Sequence, residues 1–205
     1  MKNVFSTFFL ALALFASGAA QAGPGYRVNV DTHGYSGQGL IDFTFLANAG
    51  ATPATVRLSR FHGAYGALFE SSAGVSGTLA GGFVLDNGDG GSYLTQFVDL
   101  GGRFSFDVSF EGDFAATENV DASLFSASLY NADFSGYIGE AGSFAAFSLL
   151  PQVNGVAGGV QVLAGNGLAD VSEVPEPSSL LLGLAAFGML GLVRRKRASS
   201  RREPV

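Results

Sequence analysis

Hydrophobic and polar positions alternate most strictly between Arg103 and Glu111, where Phe104, Phe106, Val108 and Phe110 interleave with Ser105, Asp107, Ser109 and Glu111. A period of two sends alternate side chains to opposite faces, so this segment predicts an antiparallel strand with one buried and one solvated face. Gly39–Leu46 repeats the pattern, setting Ile41, Phe43 and Phe45 against Asp42 and Thr44. Shorter apolar runs predict strands at Tyr26–Asp31, Ala54–Phe61, Gly74–Leu79, Gly82–Leu85, Tyr93–Leu100, Leu124–Tyr130, Phe144–Leu150 and Val160–Ala164. No window sustains a helical period beyond two turns. Val120–Tyr130 comes nearest, and its aromatic content and glycine-rich surroundings favour a strand. Short strands separated by glycine turns at spacings of about ten residues predict an all-β fold. The expected domain is an antiparallel, jelly-roll-like β-sandwich over residues 23–173.

Both ends break this pattern. Lys2 supplies a positive charge, Val4–Ala16 is mostly apolar, and Ser17–Ala22 turns to small residues ending in Ala20-Gln21-Ala22. That order predicts a signal helix over residues 1–22, cleaved between Ala22 and Gly23. The other end reads Val174-Pro175-Glu176-Pro177, then an uncharged run Ser178–Val193, then Arg194-Arg195-Lys196-Arg197. The prolines hold their segment extended, and Pro177 can open a helix because a first-turn N–H has no intrahelical partner. Residues 178–193 predict a transmembrane helix of 16 residues. At 1.5 Å per residue it is about 24 Å long, short of the roughly 30 Å hydrocarbon core, which suits a temporary stop. The positive-inside rule keeps residues 194–197 and the tail 198–205 cytoplasmic, and leaves the domain outside. A plain single-span anchor would share this topology without processing.

The motif Val174–Pro177, the Leu/Gly/Ala helix and the basic cluster, in that order over residues 174–197, resemble the PEP-CTERM sorting signal. The resemblance implies that a membrane enzyme, exosortase, recognises the Pro-Glu-Pro segment and removes the helix and basic tail. It implies export by the secretion machinery, transient residence in the inner membrane, and a Gram-negative host making extracellular polysaccharide. The runs Tyr26–Asp31 and Ile41–Phe45, followed by Phe104–Phe110, are similar to the mature domain of a subset of such proteins. That likeness bears on fold and brings no activity with it.

Without its ends the chain looks different. Residues 23–174 hold 15 acidic and four basic residues, a formal charge of −11. Such a surface repels phosphate backbones and argues against a nucleic-acid partner. The absence of cysteine excludes disulfides, thiolate metal sites and thiol nucleophiles. Stability must then come from a hydrophobic core, and this segment holds 14 of the 19 phenylalanines.

Candidate chemistry is sparse. In Asp86-Asn87-Gly88-Asp89-Gly90-Gly91, the oxygens of Asp86, Asn87 and Asp89 suit Ca²⁺. The EF-hand order fails, however, because Gly88 stands where a ligand belongs and no Glu closes the loop. A hairpin turn between Gly82–Leu85 and Tyr93–Leu100 explains the same residues. His33 and His62 would bind metal with Asp31 only if the fold converged them; near glycines, they read as solvent-facing loop residues. Asp107, Glu111, Asp113, Glu118 and Asp121 read as a solvated face rather than as a glycosidase pair. There is no Gly-x-Ser-x-Gly elbow in the domain and no tryptophan, and the six tyrosines read as half-buried strand residues. The expectation is a non-catalytic surface or extracellular-matrix protein, without resident cofactor, sorted through its C-terminal signal. A carbohydrate- or Ca²⁺-binding module of the extracellular polymer layer is the first alternative, and a secreted hydrolase the second.

Overall fold

The structure, a computed structural model, describes residues 24–163 and 165–174. Twelve strands follow one another: β1 (Gly25–Asp31), β2 (Gln38–Ala47), β3 (Thr55–His62), β4 (Tyr65–Ser71), β5 (Val75–Thr78), β6 (Gly82–Asp86), β7 (Gly91–Asp99), β8 (Arg103–Glu111), β9 (Ser123–Asn131), β10 (Ser143–Leu150), β11 (Gly159–Leu163) and β12 (Ala169–Val174). Helix is limited among the described residues to single 3-10 turns at Gly88–Gly90 and Phe114–Ala116. All ten predicted strands are present. The segment around Val120–Tyr130 is the strand β9. Two strands escaped the pattern, β4 and β12. β4 is exposed along most of its length and has no buried face to enforce alternation.

The strands form two antiparallel six-stranded sheets, ordered β12-β1-β8-β3-β6-β5 and β11-β10-β9-β2-β7-β4. Their inner faces meet through aromatic rings. Phe43 of β2 stands edge-on to Phe106 of β8 at 5.0 Å, and Phe147 of β10 contacts Tyr26 of β1 at 5.0 Å and Phe110 of β8 at 5.4 Å. Phe43, Phe45, Phe106, Phe110, Phe125, Phe144 and Phe147 are fully buried. Each stabilises the fold by roughly 1.5–3 kcal/mol relative to an exposed ring. The alternation read along β8 holds for its phenylalanines, but Asp107 on the opposite face is buried as well.

Eight of the eleven strand connections pass from one sheet to the other; only β5–β6, β9–β10 and β10–β11 are hairpins within a sheet. The outer faces differ in charge. All four arginines of the described residues lie on the first sheet: Arg27 on β1, Arg57 and Arg60 on β3, Arg103 on β8. The second sheet carries no basic residue.

Candidate functional site

Asp86–Gly91 is the first place where sequence and structure part. β6 pairs with β3 in one sheet, Asp86 opposite Thr55, whereas β7 pairs with β2 in the other, Gly91 opposite Leu46. The segment is therefore an arch between sheets, not a hairpin turn. Asn87 is buried at its centre. Its Oδ1 accepts the Ala54 N–H at 2.9 Å, and its Nδ2 donates to the Thr52 carbonyl and to Ser123 Oγ, both at 2.9 Å. The amide thus joins strands of both sheets through a satisfied polar group. Asp86 Oδ1 accepts the Gly88 N–H at 3.0 Å, an Asx turn that starts the 3-10 turn. Gly91 has φ +123°, and a Cβ there would collide with the Phe45 carbonyl. Only glycine lets the two backbones approach so closely. Beside the arch lies an open hollow of about 870 Å³, whose lining includes Asp86, Asp89 and Glu111. Among the described residues no three acidic or histidine side chains converge as a metal cage. Of the oxygens that suited Ca²⁺, Asp86 Oδ1 and Asn87 Oδ1 each accept a backbone N–H.

Asp31 has three partners. Its Oδ1 accepts the His33 N–H at 3.0 Å and contacts His33 Nδ1 at 2.5 Å, while Arg103 Nε donates to Oδ2 at 3.1 Å. The His33 N–H, the His33 ring and the Arg103 guanidinium together lower the Asp31 carboxyl to about 2. His62, at the bulged end of β3, lines the same open depression as Asp31, but Arg103 lines it too. A fixed cation beside the carboxylate opposes a metal ion there. Both histidines are exposed, as their glycine-rich surroundings predict.

Of the five acidic residues read as one solvated face, Glu111, Asp113 and Glu118 are exposed and Asp121 is half-buried. Asp107 corrects that reading outright: it is only 5 % exposed. Arg27, its Cα partner on β1, donates from Nε to Oδ1, and Arg60 brings its Nε to 2.6 Å from Oδ2. Arg60 reaches it from a bulge in β3, where its φ is +50°. The carboxylate is covered by two cations spaced too irregularly in sequence to show in the alternation. Glu118 accepts the N–H groups of Asn154 and Gly155, Asp121 accepts from Asn48 Nδ2, and Glu111 and Asp113 are exposed.

The tyrosines divide. Tyr26 lies in the core, and Tyr65 turns inward, donating to the Ser105 carbonyl, with its hydroxyl pKa pushed up by burial. Tyr93, Tyr130 and Tyr137 instead join the outer side of the second sheet. Tyr130 and Tyr137 stack at 4.5 Å with their hydroxyls 3.2 Å apart, and burial together with that bond pushes Tyr130 up to about 12. Phe69, Phe97 and Phe134 complete an outward-facing aromatic cluster. Sequence reasoning missed the cluster because β4, which carries Phe69, was unread and Phe134 sits in a loop, although Phe97 lies on the predicted strand β7.

The C-terminal strand β12 brings the two ends of the domain together, with Val174 opposite Gly25. Val174 is thus both the last residue of β12 and the first of the Val174–Pro177 motif. The signal segment 1–22 with its Ala20, Ala22 and Gly23 site, Pro175–Pro177, the apolar run 178–193, Arg194–Arg197 and the tail 198–205 lie outside the described residues. Among the described residues no helix is long and apolar enough to cross a membrane. No curated protein and no solved structure matched the chain. One family profile did, over residues 173–197. From the end of β12 onward, therefore, the chain carries a PEP-CTERM protein-sorting motif.

Proposed function

We propose that this is a non-catalytic exported surface or matrix protein whose fate is decided by its C-terminal signal. The supporting observation is the sorting motif at residues 173–197, placed directly against β12 of an all-β domain. The motif implies recognition by exosortase and a membrane-anchored sorting signal. In this reading residues 1–22 direct export and residues 178–193 hold the chain in the inner membrane. Arg194–Arg197 fix the depth, because moving that cluster across a bilayer is costly. Processing then frees the sandwich to the cell surface or the extracellular polymer. The polar groups described above serve the fold: Asn87 joins the sheets, Asp107 is neutralised by arginines, and Glu118 and Asp121 brace loops. That supports a structural or binding role over hydrolysis, and the described residues offer Ca²⁺ no preformed cage.

Intact-mass analysis of the protein exported by its native host tests this. The expected species begins at Gly23 and ends near Pro175–Pro177. Replacing Pro175, Glu176 and Pro177 together by alanine is expected to leave export intact and retain the full-length chain in the inner membrane. The same shortened product from the triple variant would exclude sorting through this motif and favour a plain anchor.

A further inference from the structure

The outer face of the second sheet has no role in the sorting reading, yet it is built with care. Leu40 of β2 points outward and is nevertheless completely buried. Its Cα partners are Phe97 on β7 and Tyr130 on β9, which flank it on the same face of the sheet. Phe69 stands edge-on to Phe97 at 5.4 Å. Phe134 lies 5.7 Å from Phe69 and 5.1 Å from Tyr130. Tyr137 stacks on Tyr130 at 4.5 Å. Phe69, Phe134 and Tyr137 remain between 40 and 46 % exposed. A contiguous patch of large exposed rings on a soluble domain marks an interaction site more often than a packing accident.

Phe134 strengthens that reading. Its φ is +58°, the left-handed region, where a bulky side chain is strained. A dense turn holds it there: its own N–H donates to the Asn131 carbonyl, Asn131 Nδ2 to Ser135 Oγ, and the Ser135 N–H to Asp133 Oδ1. Glycine would satisfy this backbone without strain. The turn instead presents a phenyl ring to solvent.

The neighbouring polar groups define the partner. Next to the rings, Asp42 accepts from Thr95 Oγ1 at 2.7 Å and from Thr44 Oγ1 at 3.0 Å, and Tyr93 donates to Glu70 at 2.8 Å. The charged groups of this face are carboxylates only, since every arginine of the described residues is on the other sheet. Carboxylates accept hydrogen bonds and repel anions. A membrane surface, a nucleic acid or an anionic polysaccharide meets the wrong charge here. A neutral polyol supplies O–H donors for the carboxylates and apolar C–H faces for the rings. From β9 to β4 is three strand spacings, about 14 Å, which accommodates a short run of sugar rings.

We propose that the outer face of the β9-β2-β7-β4 strands, centred on Phe69, Phe134 and Tyr137, binds a neutral polysaccharide. The test is native affinity electrophoresis of the protein as exported, through gels holding hydroxyethyl cellulose, dextran, galactomannan or, as the anionic comparison, alginate. Retardation is expected in at least one neutral polymer and not in alginate. Tyr137→Ala and Phe134→Ala should weaken it at least tenfold, while Arg57→Gln on the opposite sheet should not change it. Phe134→Gly separates binding from folding: it relieves the left-handed strain, so the melting temperature should hold or rise while retardation falls. Retardation in none of the neutral gels, in alginate alone, or equally in wild type and both Phe134 variants would overturn the proposal. So would a concentration-dependent dimer that Phe134→Gly dissolves, because the face would then be a contact between copies.

Discussion

Asp107 shows how a polar residue on a strand's outer face can become a structural centre. Arg27 is one-third exposed and donates a hydrogen bond, whereas Arg60 is mostly exposed and reaches the carboxylate through an ion-pair contact alone. Arg27→Ala strips the buried carboxylate of its better-ordered partner, and Arg60→Ala removes a largely solvated one. The expected losses are about 1–3 kcal/mol for Arg27→Ala and under about 1 kcal/mol for Arg60→Ala in urea denaturation. Equal losses would contradict this division. Asp31 offers a second check, through pH. Its folded pKa, about 2, lies below the ordinary carboxylate value of 3.8, so the folded state favours the ionised form. The stabilisation is complete above the ordinary value and is lost as pH falls through the folded one, between about pH 4 and 2. Carboxyl NMR titration should find Asp31 well below the ordinary carboxylate value, and His33→Ala should move it upward.

Among the elements, the β6–β7 arch is the most informative. Asn87 makes three hydrogen bonds inside it, while Asp89 has φ +52° and is exposed. Asn87→Ala leaves the Ala54 N–H without its acceptor and opens a gap between sheets, for an expected cost of about 2–3 kcal/mol. Asp89→Ala should change stability little, and Asp89→Gly should be neutral or stabilising. With Asp86 Oδ1 and Asn87 Oδ1 each taken by a backbone N–H, 1 mM Ca²⁺ should raise the melting temperature by less than about 1 °C, corresponding to a dissociation constant above about 1 mM. A larger shift abolished by Asp86→Ala would restore a Ca²⁺ site at the arch.

At the scale of the molecule, topology dominates. With eight of eleven connections crossing between sheets, most strand pairs join segments distant in sequence, down to β1 with β12 at opposite ends of the domain. Chain-closure entropy precedes nearly every such contact, so folding should be slow for its size, in milliseconds to seconds or longer. Stopped-flow refolding of the processed protein measures this, and a microsecond phase carrying most of the amplitude would contradict it. Far-UV circular dichroism should be β-dominated throughout.

Alternation alone determined which faces of β2 and β8 enter the core, because a strand's period is two and a buried face accepts only apolar side chains. Composition and residue order likewise determined the sorting motif, whose prolines, apolar run and arginines are contiguous and need no fold to be read. Partner choice between strands is different, for it depends on contacts across long separations that no local pattern encodes. Asp86–Gly91 has hairpin residues yet joins opposite sheets, since its strands found partners in β3 and β2 rather than in each other. Asp107 has the spacing of a solvated residue yet is buried, since two arginines from other strands cover it. The aromatic face arises in the same way: Phe69, Phe97, Tyr130 and Phe134 belong to four separate segments, and only sheet order and one strained turn bring their rings together.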